Sequence, residues 1–335
     1  MKYLNLSARL ADMWQRIGLL LLGFFVLSAL ANATTAQERS AYDWLQTMQK
    51  ASQEVNYRGV FMFSRGDMSS SVRVVHRFQD GMVEERLKQL DGAMGEIIRH
   101  GSEVMCVFPD NRVVQIEKDT FANKLVSALS GYMPDHNHYD LTVEEKTRLV
   151  DRHVVKLMIT ARDSHRYSYA LWLDIETGLL LKSSILNKQG ESLEHFQFSQ
   201  IEFPETISDR ELQPMNPGEK IEHEMIPAVT VDRAWPEAMY WKSEWVPPGF
   251  EKVTRSGSGA GNVMFFSDGL ATYSVFVEPA DADRMPEGAS MVGATVAYSH
   301  SLKADGHAYG VTVMGEVPPM TAMMIAESIK PAMKQ

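Results

Sequence analysis

Apolar and polar residues alternate through two long parts of the chain, residues 55–118 and 141–202. In the first part, tight-turn dipeptides such as Asp80-Gly81 and Asp91-Gly92 separate the alternating runs, and an Asp-Gly pair in that position is a strong hairpin signal. Strands joined by tight turns form an antiparallel meander. The pattern therefore predicts one antiparallel sheet of about ten strands, which has to curl or close because its twist accumulates. The predicted strands are residues 55–63, 70–79, 82–89, 95–100, 103–109, 112–117, 150–162, 164–175, 179–188 and 191–202, while residues 141–148 fit either a strand or a helix.

The clearest hairpin signal lies at residues 167–186. Its turn contains Asp174 and Thr177, whose side chains can hydrogen-bond to the local backbone, and Gly178, which can take a positive φ without steric cost. The flanking segments are rich in Leu, Ile, Tyr and Trp, as half-buried strands require. We expect this hairpin to lie within the large sheet.

Helical spacing of apolar residues predicts a first helix at residues 39–52 and a terminal helix at residues 319–330. A short helix is also predicted at residues 121–130, before Gly131. Proline and glycine interrupt residues 204–231, which predicts a linker with a helical fragment near residues 208–212. Further short strands are predicted at residues 261–268, 271–278, 293–300 and 307–317.

These elements predict an α+β protein, in which a large curved antiparallel sheet with covering helices is followed by a small C-terminal α+β domain. The expected boundaries are 34–204 for the large domain, 205–229 for the linker and 230–335 for the small domain.

The first 33 residues have the composition of a secretory signal peptide. Lys2, Arg9 and Arg16 precede an apolar stretch at residues 17–30, and Ala31-Asn32-Ala33 supplies small residues for cleavage. The apolar stretch is short for a membrane span, although an uncleaved anchor is the alternative. We expect a secreted chain that begins after Ala33.

Charge and cysteine content narrow the classes of function. The net charge of −10 and pI near 5.5 argue against nucleic acid as a partner, because phosphate binding needs a basic surface. The single cysteine, Cys106, rules out an internal disulfide and fits a small buried apolar residue. The 21 methionines fit either an adaptable apolar surface or ordinary core packing.

Motifs for catalysis, metals and cofactors are incomplete. The glycine-rich residues 256–262 lack both the P-loop ending and the spacing of a nucleophile elbow. His136 and His138 form a short tract that no further ligand cluster completes. Glu84 and Glu85 point to opposite faces of a strand and form no acid–base pair. We therefore predict no enzyme activity, no metal site and no cofactor.

Apolar residues occupy both faces of several predicted strands, which suits a sheet that packs against helices on one face and lines a cavity on the other. A core filled by the chain's own side chains is the alternative, because the sequence does not distinguish a filled barrel from an open one. The residues predicted to line a ligand-binding cavity are Phe61, Phe63, Val72, Val74, Phe78, Val104, Phe108 and Trp172.

The order of the motifs resembles the MucB/RseB family of periplasmic sigma-factor regulators. The resemblance covers essentially the whole mature chain, and no short family motif identifies contact residues. The motifs that carry it are Tyr42-Asp43-Trp44-Leu45, Asn56-Tyr57-Arg58-Gly59-Val60-Phe61, Val74-Val75-His76-Arg77, Glu84, Arg86-Leu87, Leu90-Asp91-Gly92, the hairpin turn from Trp172 to Leu179 and Trp245-Val246-Pro247-Pro248-Gly249-Phe250.

This resemblance implies a large domain similar to the lipoprotein carriers LolA and LolB, which is an unclosed β-barrel with helices over its mouth. It implies a periplasmic protein that binds the periplasmic region of a MucA/RseA-type anti-sigma factor, shields it from regulated proteolysis and senses envelope stress through lipid or lipopolysaccharide. A lipid or lipoprotein carrier without a signalling partner is the alternative, and the oligomeric state, monomer or homodimer, is open.

We expect the partner to bind the small domain, where aromatic side chains are candidate anchors. Most of them would serve equally well as core residues. The candidates are Trp241, Trp245, Tyr273, Phe276, Tyr298 and Tyr309.

Overall fold

The computed structural model describes residues 39–92, 95–108, 112–116, 133–215, 219–220, 240–253, 262–280 and 287–332. The predicted signal peptide, the predicted helix at residues 121–130, residues 216–218 and 221–229 of the predicted linker and nearly all of the glycine-rich stretch lie outside these ranges. Among the described residues, no helix is both long enough and apolar enough to span a membrane.

Twelve strands of the described chain form one large sheet, and its order reflects two meanders. The first meander, β1 to β6, and the second, β7 to β11, are joined where β1 pairs with β11 in antiparallel register. The sheet is open, because its edges are β7 at one end and the two-residue β12 at the other. The strands are β1 Tyr57–Arg65, β2 Met68–Gln79, β3 Met82–Gln89, β4 Glu96–His100, β5 Glu103–Val107, β6 Arg112–Ile116, β7 Tyr139–Leu149, β8 Arg152–Ala161, β9 Ser168–Asp174, β10 Leu180–Leu186, β11 Ser192–Glu202 and β12 Glu219–Lys220.

Helix α1, Ala41–Glu54, packs on one face of this sheet, which we call the inner face. A capping box fixes its start, because Asp43 N–H donates to Ser40 Oγ at 3.1 Å and Ser40 N–H donates to Asp43 Oδ2 at 3.0 Å. Its buried residues recur at helical spacing, and they pack with Leu157 and Leu171 in the core. The buried residues of α1 are Ala41, Trp44, Leu45, Met48 and Ala51.

The opposite, outer face of strands β2 and β3 is covered by the start of the predicted linker. Helix α2, Asp209–Leu212, buries Leu212 there beside Ile207 and Val75. Arg77 also donates to the Ile207 carbonyl at 2.9 Å. Residues 205–215 are therefore attached to the large sheet.

The C-terminal part has its own sheet and its own core. Six strands pair in the order β14-β15-β16-β19-β18-β17, and β13 pairs with β20. Ile325 of helix α3, Pro319–Glu327, packs against the inward side chains of β16 and β19, among them Val275 and Val313. These strands are β13 Tyr240–Ser243, β14 Glu251–Val253, β15 Val263–Ser267, β16 Thr272–Pro279, β17 Gly288–Val292, β18 Thr295–Ala304, β19 His307–Gly315 and β20 Ile329–Ala332.

The predicted fold class is confirmed, with an open, mostly antiparallel large sheet followed by a small α+β domain. The terminal helix is shorter than predicted, because it ends at Glu327 and the following residues pair with β13. Residues 141–148, which fitted either a strand or a helix, form part of strand β7.

Candidate functional site

A cavity of about 200 Å³ lies between the inner face of the large sheet and α1. Met48 and Ser52 of α1 form one side, and residues of β1, β2, β3, β9, β10 and β11 form the rest of the wall that belongs to the large sheet. The cavity lies where the two meanders meet, because β1 and β11 both contribute to it. Pockets bounded by apolar side chains with a few polar groups are typical of small-molecule sites.

Aromatic rings form the wall along β1 and β11. The ring centroids of Phe61 and Phe196 are 4.9 Å apart, and those of Phe196 and Phe198 are 5.3 Å apart. The Tyr57 ring meets Phe198 edge-on at 6.0 Å. Rings in such tilted and edge-on contacts support one another, so this wall presents a continuous apolar surface to a ligand.

A row of polar side chains crosses the inner face beside this aromatic wall. Tyr57, His76, Glu85 and Arg99 are direct cross-strand neighbours on β1, β2, β3 and β4, and Tyr57 and Glu85 line the cavity. Glu85 is only 5% exposed. Burial raises the pKa of its carboxyl group to about 7, and the Arg99 charge offsets only part of that shift.

His76 is held in a neutral form within the same row. Its Nδ1 lies 2.9 Å from the Val55 carbonyl oxygen, so Nδ1 carries the proton and donates. Its ring stacks on Tyr57 with the centroids 4.8 Å apart. Burial lowers the pKa of His76 to about 4, so the imidazole is uncharged near neutral pH.

Two residues of the small domain, Leu270 and Glu316, complete the cavity wall. Glu194 of β11 also lines the cavity, and one of its carboxylate oxygens, Oε1, accepts a hydrogen bond from the Ala294 N–H of the small domain at 3.0 Å. The same oxygen lies 2.8 Å from Arg65 Nε. The wall of the cavity is therefore in direct contact with the small domain.

A second contact between the two domains is a buried ion pair. Arg166 Nη1 donates to Asp268 Oδ2 at 2.6 Å, and both side chains are 0% exposed. The Tyr139 hydroxyl donates to the same oxygen at 2.8 Å, and the backbone N–H of Ala271 donates to the other at 2.8 Å. Arg166 also donates to the Pro248 carbonyl. These bonds satisfy both charges, as a buried pair requires.

The structure brings together some of the residues predicted to form the cavity. Phe61, Phe63 and Val74 line it, and Val72 packs against the same aromatic cluster. The cavity centres on β1 and β11, whereas the remaining predicted residues lie farther along or across the sheet. Of these, Phe78 is partly buried, Val104 is 5% exposed and Phe108 is 40% exposed, and none belongs to the wall.

Trp172 lies on the outer face, away from the cavity. Strand alternation turns its neighbour Leu171 inward, where Leu171 lines the cavity. The Trp172 ring instead lies under the ammonium groups of Lys182 and Lys156, which are 4.6 and 5.4 Å from its centroid. Its predicted role as a cavity residue therefore does not fit this structure.

The six aromatic residues predicted as partner anchors fall into two groups. Trp241, Tyr273 and Tyr309 lie in the core of the small domain, where each is at most 5% exposed. The other three retain accessible surface and stay predictions as anchors. In this second group, Trp245 and Tyr298 pack at the margin of that core, and Phe276 lies on the opposite face of the sheet, across from Thr312.

Sequence reasoning missed Glu85 and Glu194 as wall residues, although a signal was present. Glu85 lies two residues from Val83 and from Leu87, and Glu194 lies two residues before Phe196. A carboxylate in phase with an apolar strand face is expected to point the same way as its apolar neighbours. The contributions of Leu270 and Glu316 depend on domain packing, which has no local signal.

The remaining candidates for chemistry are unremarkable in position. Among the described residues, no cluster of three or more His, Cys, Asp or Glu side chains could hold a metal ion. His136 is 87% exposed, whereas His138 packs against Gly249 of the small domain. Cys106 is half-buried, and burial raises the pKa of its thiol.

Comparison with known proteins gives a consistent picture. Residues 40–216 match the family model of the MucB/RseB N-terminal domain, and residues 236–330 match that of the MucB/RseB C-terminal domain. The chain is 34% identical over 316 residues to the Sigma factor AlgU regulatory protein MucB of Pseudomonas aeruginosa, covering 91% of this chain and 96% of that protein. It is 28% identical over 319 residues to the Sigma-E factor regulatory protein RseB of Escherichia coli, covering 93% of this chain and 96% of that protein.

A solved structure is similar over nearly the same extent. It is a crystal structure of MucB in complex with MucA(peri), with a TM-score of 0.69 and 32% sequence identity. The match covers 88% of this chain and 100% of that one. The similarity therefore includes both domains.

Proposed function

The chain belongs to the MucB/RseB family, and from that premise we propose that it is a non-enzymatic regulator that binds the periplasmic region of a MucA/RseA-type anti-sigma factor. The observation that carries this proposal is the similarity, at 32% identity and across both domains, to a MucB that was crystallised with MucA(peri). The relatives are named as sigma-factor regulatory proteins, which supports regulation rather than catalysis.

We further propose that binding protects the anti-sigma factor from regulated proteolysis, so that the protein acts as a negative regulator of the sigma factor. A bound segment is withdrawn from a protease for as long as the complex lasts. The composition of residues 1–33 supports export to the periplasm, where such a partner would be met.

The cavity supports a second part of the proposal, in which the large domain binds the apolar part of a lipid or lipopolysaccharide effector. Its wall is largely aromatic and aliphatic, as a site for a hydrocarbon chain requires. Leu270, Glu316 and the bond from Glu194 to Ala294 connect that wall with the small domain. A ligand that alters this contact would change the affinity for a partner that binds the small domain.

A lipid or lipoprotein carrier remains the second candidate, because the same cavity would suit a transported chain. A carrier has to deliver its ligand to an acceptor, whereas a regulator has to change its affinity for the partner when the ligand binds. Measuring transfer of a bound lipid to acceptor vesicles, with and without the anti-sigma segment, would separate the two functions.

Binding of the partner is tested by titrating residues 34–335 with the periplasmic segment of a MucA-type anti-sigma factor in a calorimeter. We expect saturable binding. The variant Phe276→Ser should weaken it by roughly 30-fold if Phe276 is an anchor, whereas Phe108→Ser, directly after β5 of the large sheet, should leave the affinity unchanged. An absence of binding by the unaltered chain would contradict the proposed function. Equal affinity of the two variants would show that Phe276 does not contact the partner.

A further inference from the structure

Resting on the proposed ligand-binding role of the cavity, we propose that Glu85 selects the ligand. The cavity takes an apolar chain that carries a hydrogen-bond donor, such as a hydroxyl or amine, and discriminates against a chain that ends in a carboxylate. Glu85 is then a specificity-determining residue that touches the ligand.

The position of Glu85 gives the first reason. Its side chain lines the cavity although the residue is only 5% exposed, so its carboxyl group faces the cavity rather than bulk water. Around it the wall is apolar, with Val74 and Leu87 on the same face of β2 and β3. A ligand that fills the cavity therefore meets this carboxyl group at close range.

The hydrogen bonding of Glu85 gives the second reason. Within the described residues, no hydrogen bond reaches its carboxyl group. Arg99, its neighbour on β4, acts on it through charge, while Arg99 Nε donates to the Gly101 carbonyl at 3.2 Å. When an apolar ligand fills the cavity, it desolvates this carboxyl group, which is costly without a hydrogen-bond partner. A donor on the ligand would remove that cost.

The neighbours of Glu85 do not supply the missing donor. Tyr57 of β1 stacks on His76 of β2, and His76 donates through Nδ1 to the Val55 carbonyl while its Nε2 has no partner among the described residues. The remaining ring nitrogen of His76, Nε2, is therefore an acceptor, like the Glu85 carboxylate. His76 is not part of the cavity wall and its Nε2 is buried, so of these two acceptors it is the Glu85 carboxylate that meets a ligand.

Charge gives the third reason. Besides Glu85, the ionisable groups that line the cavity are two carboxylates, Glu194 and Glu316, with Arg65, His195, Tyr57 and Tyr169. The Arg65 guanidinium is already engaged, since its Nε lies 2.8 Å from Glu194. A further carboxylate brought in by a ligand would face like charges in a site of low polarity, which disfavours it.

The test compares probes that share one octyl chain, using calorimetry on residues 34–335 at pH 8, where Glu85 is ionised. Octan-1-ol and octylamine donate a hydrogen bond, 1-methoxyoctane only accepts one, and octanoate is an anion. We expect octan-1-ol to bind about tenfold tighter than 1-methoxyoctane, because the alcohol can donate a hydrogen bond to the ionised Glu85 carboxylate and the ether cannot. We expect octylamine to bind at least as tightly as octan-1-ol, and octanoate to bind most weakly.

Two substitutions at Glu85 and a matched control make the test specific. Glu85→Met should abolish the preference for the alcohol over the ether while leaving the affinity for the ether intact, which also shows that the variant is folded. Glu85→Gln retains an acceptor oxygen and should keep a reduced preference. Glu103→Gln, which alters an exposed glutamate at the start of β5 outside the cavity wall, should preserve the full ranking of the probes.

The outcomes separate this inference from the proposed function. Equal affinities for the alcohol and the ether in the unaltered chain would overturn the role of Glu85 and leave the cavity as a site for apolar ligands. An unchanged ranking in Glu85→Met would overturn it as well. If none of the four probes binds, both the selection by Glu85 and the ligand-binding role of the cavity are wrong.

Discussion

At the scale of single residues, Glu85 and His76 are neighbours whose pKa values are displaced in opposite directions by burial. The Glu85 carboxyl group has a pKa of about 7 instead of 4.5, so its contribution to stability is complete below pH 4.5 and is lost as the pH rises to about 7. His76 has a pKa of about 4 instead of 6.5, so its contribution is complete above pH 6.5 and is lost as the pH falls to about 4. Between pH 4.5 and 6.5 the two effects largely cancel.

We predict that Glu85→Gln exposes this compensation. The substitution removes the ionisable carboxyl group, so the stability of the variant relative to the unaltered chain should increase by roughly 3 kcal/mol between pH 4.5 and pH 8. The variant should also lose stability more steeply than the unaltered chain as the pH falls from 6.5 to 4.5, because the His76 effect is then unopposed. Urea unfolding at four pH values across this range measures both slopes.

The control for this prediction is Glu103→Gln, which changes a solvent-exposed glutamate at the start of β5. It removes one carboxyl group from the protein surface and therefore controls for the loss of a negative charge alone. A Glu85→Gln variant that behaves like this control would show that the Glu85 carboxyl group titrates normally in the folded protein.

Strand alternation correctly predicts that Glu84 and Glu85 point to opposite faces of β3. It does not predict which of the two faces the core, and the structure shows why. Glu84 accepts from Arg77 Nε at 2.7 Å on the outer face, whereas Glu85 lines the cavity. Which of the two points inward depends on where α1 packs. The same ambiguity affects Trp172, because apolar residues occupy both faces of β9 and only the packed structure assigns Leu171 to the cavity.

At the scale of elements, the turn between β9 and β10 supports α1 and thereby one side of the cavity. Asp174 Oδ2 accepts from the Thr177 N–H at 2.9 Å, and Gly178 has a φ of +80°. A Cβ atom on Gly178 would lie 2.5 Å from Thr47 Cγ2 of α1. The turn therefore requires glycine for its conformation and also for the close approach of the helix.

We predict that Gly178→Ala lowers the free energy of unfolding by about 2 kcal/mol or more, because left-handed strain adds to the contact with Thr47. Gly190→Ala is the matched control, since Gly190 has a φ of +83° and nothing lies within 4 Å of its added Cβ. That variant should lose only about 1 kcal/mol. Both values come from urea unfolding at pH 7.

A double-mutant cycle isolates the contact with the helix. Thr47→Ser removes Cγ2 but retains the hydroxyl, which donates to the Asp43 carbonyl at 2.8 Å. Combined with Gly178→Ala, it should recover the part of the loss that exceeds the Gly190→Ala value. Additive effects of the two substitutions would show that α1 does not press on this turn.

The sequence predicted ten of the eleven strands β1 to β11, left β7 open between a strand and a helix, and missed the shortest strands for a physical reason. Strands β1 to β11 alternate over 5 to 12 residues each, which is long enough for the period to be visible. By contrast, β12 has 2 residues, β14 has 3, and β13 and β20 have 4 each. β20 pairs with β13 from the opposite end of the small domain, and no local pattern reports a partner that distant.

At the scale of the whole molecule, the Arg166–Asp268 ion pair holds the small domain against the large sheet. The structure places one charge on each domain and satisfies both with hydrogen bonds from the two sides. Removing one partner of such a pair leaves the other charge buried and uncompensated. The cost should therefore appear both in global stability and in the association of the domains.

We predict that Arg166→Met lowers the free energy of unfolding by roughly 3 to 5 kcal/mol. It should also widen the range of domain arrangements, which small-angle scattering detects as a larger radius of gyration. Arg162→Met is the control, because the ion pair of Arg162 with Asp140 is about half exposed on both sides and should contribute at most about 1 kcal/mol. Equal losses in the two variants would show that the buried pair does not hold the domains together.

Glu194 makes the proposed sensing mechanism testable in the intact protein, because this one residue lines the cavity and accepts the Ala294 N–H of the small domain. If ligand and partner are coupled through it, a saturating octyl ligand should lower the affinity for the anti-sigma segment, and the segment should lower the ligand's affinity by the same factor. Glu194→Gln keeps an acceptor for Ala294 but loses the charge that holds Arg65, so the coupling factor should approach one. Ser183→Ala changes the cavity wall without touching the small domain and should leave the factor unchanged.

Calorimetric titrations of both ligands, alone and together, measure the coupling factor in each direction. An unchanged factor in Glu194→Gln would place the coupling elsewhere in the domain contact, and a factor of one in the unaltered chain would leave the cavity without a regulatory role.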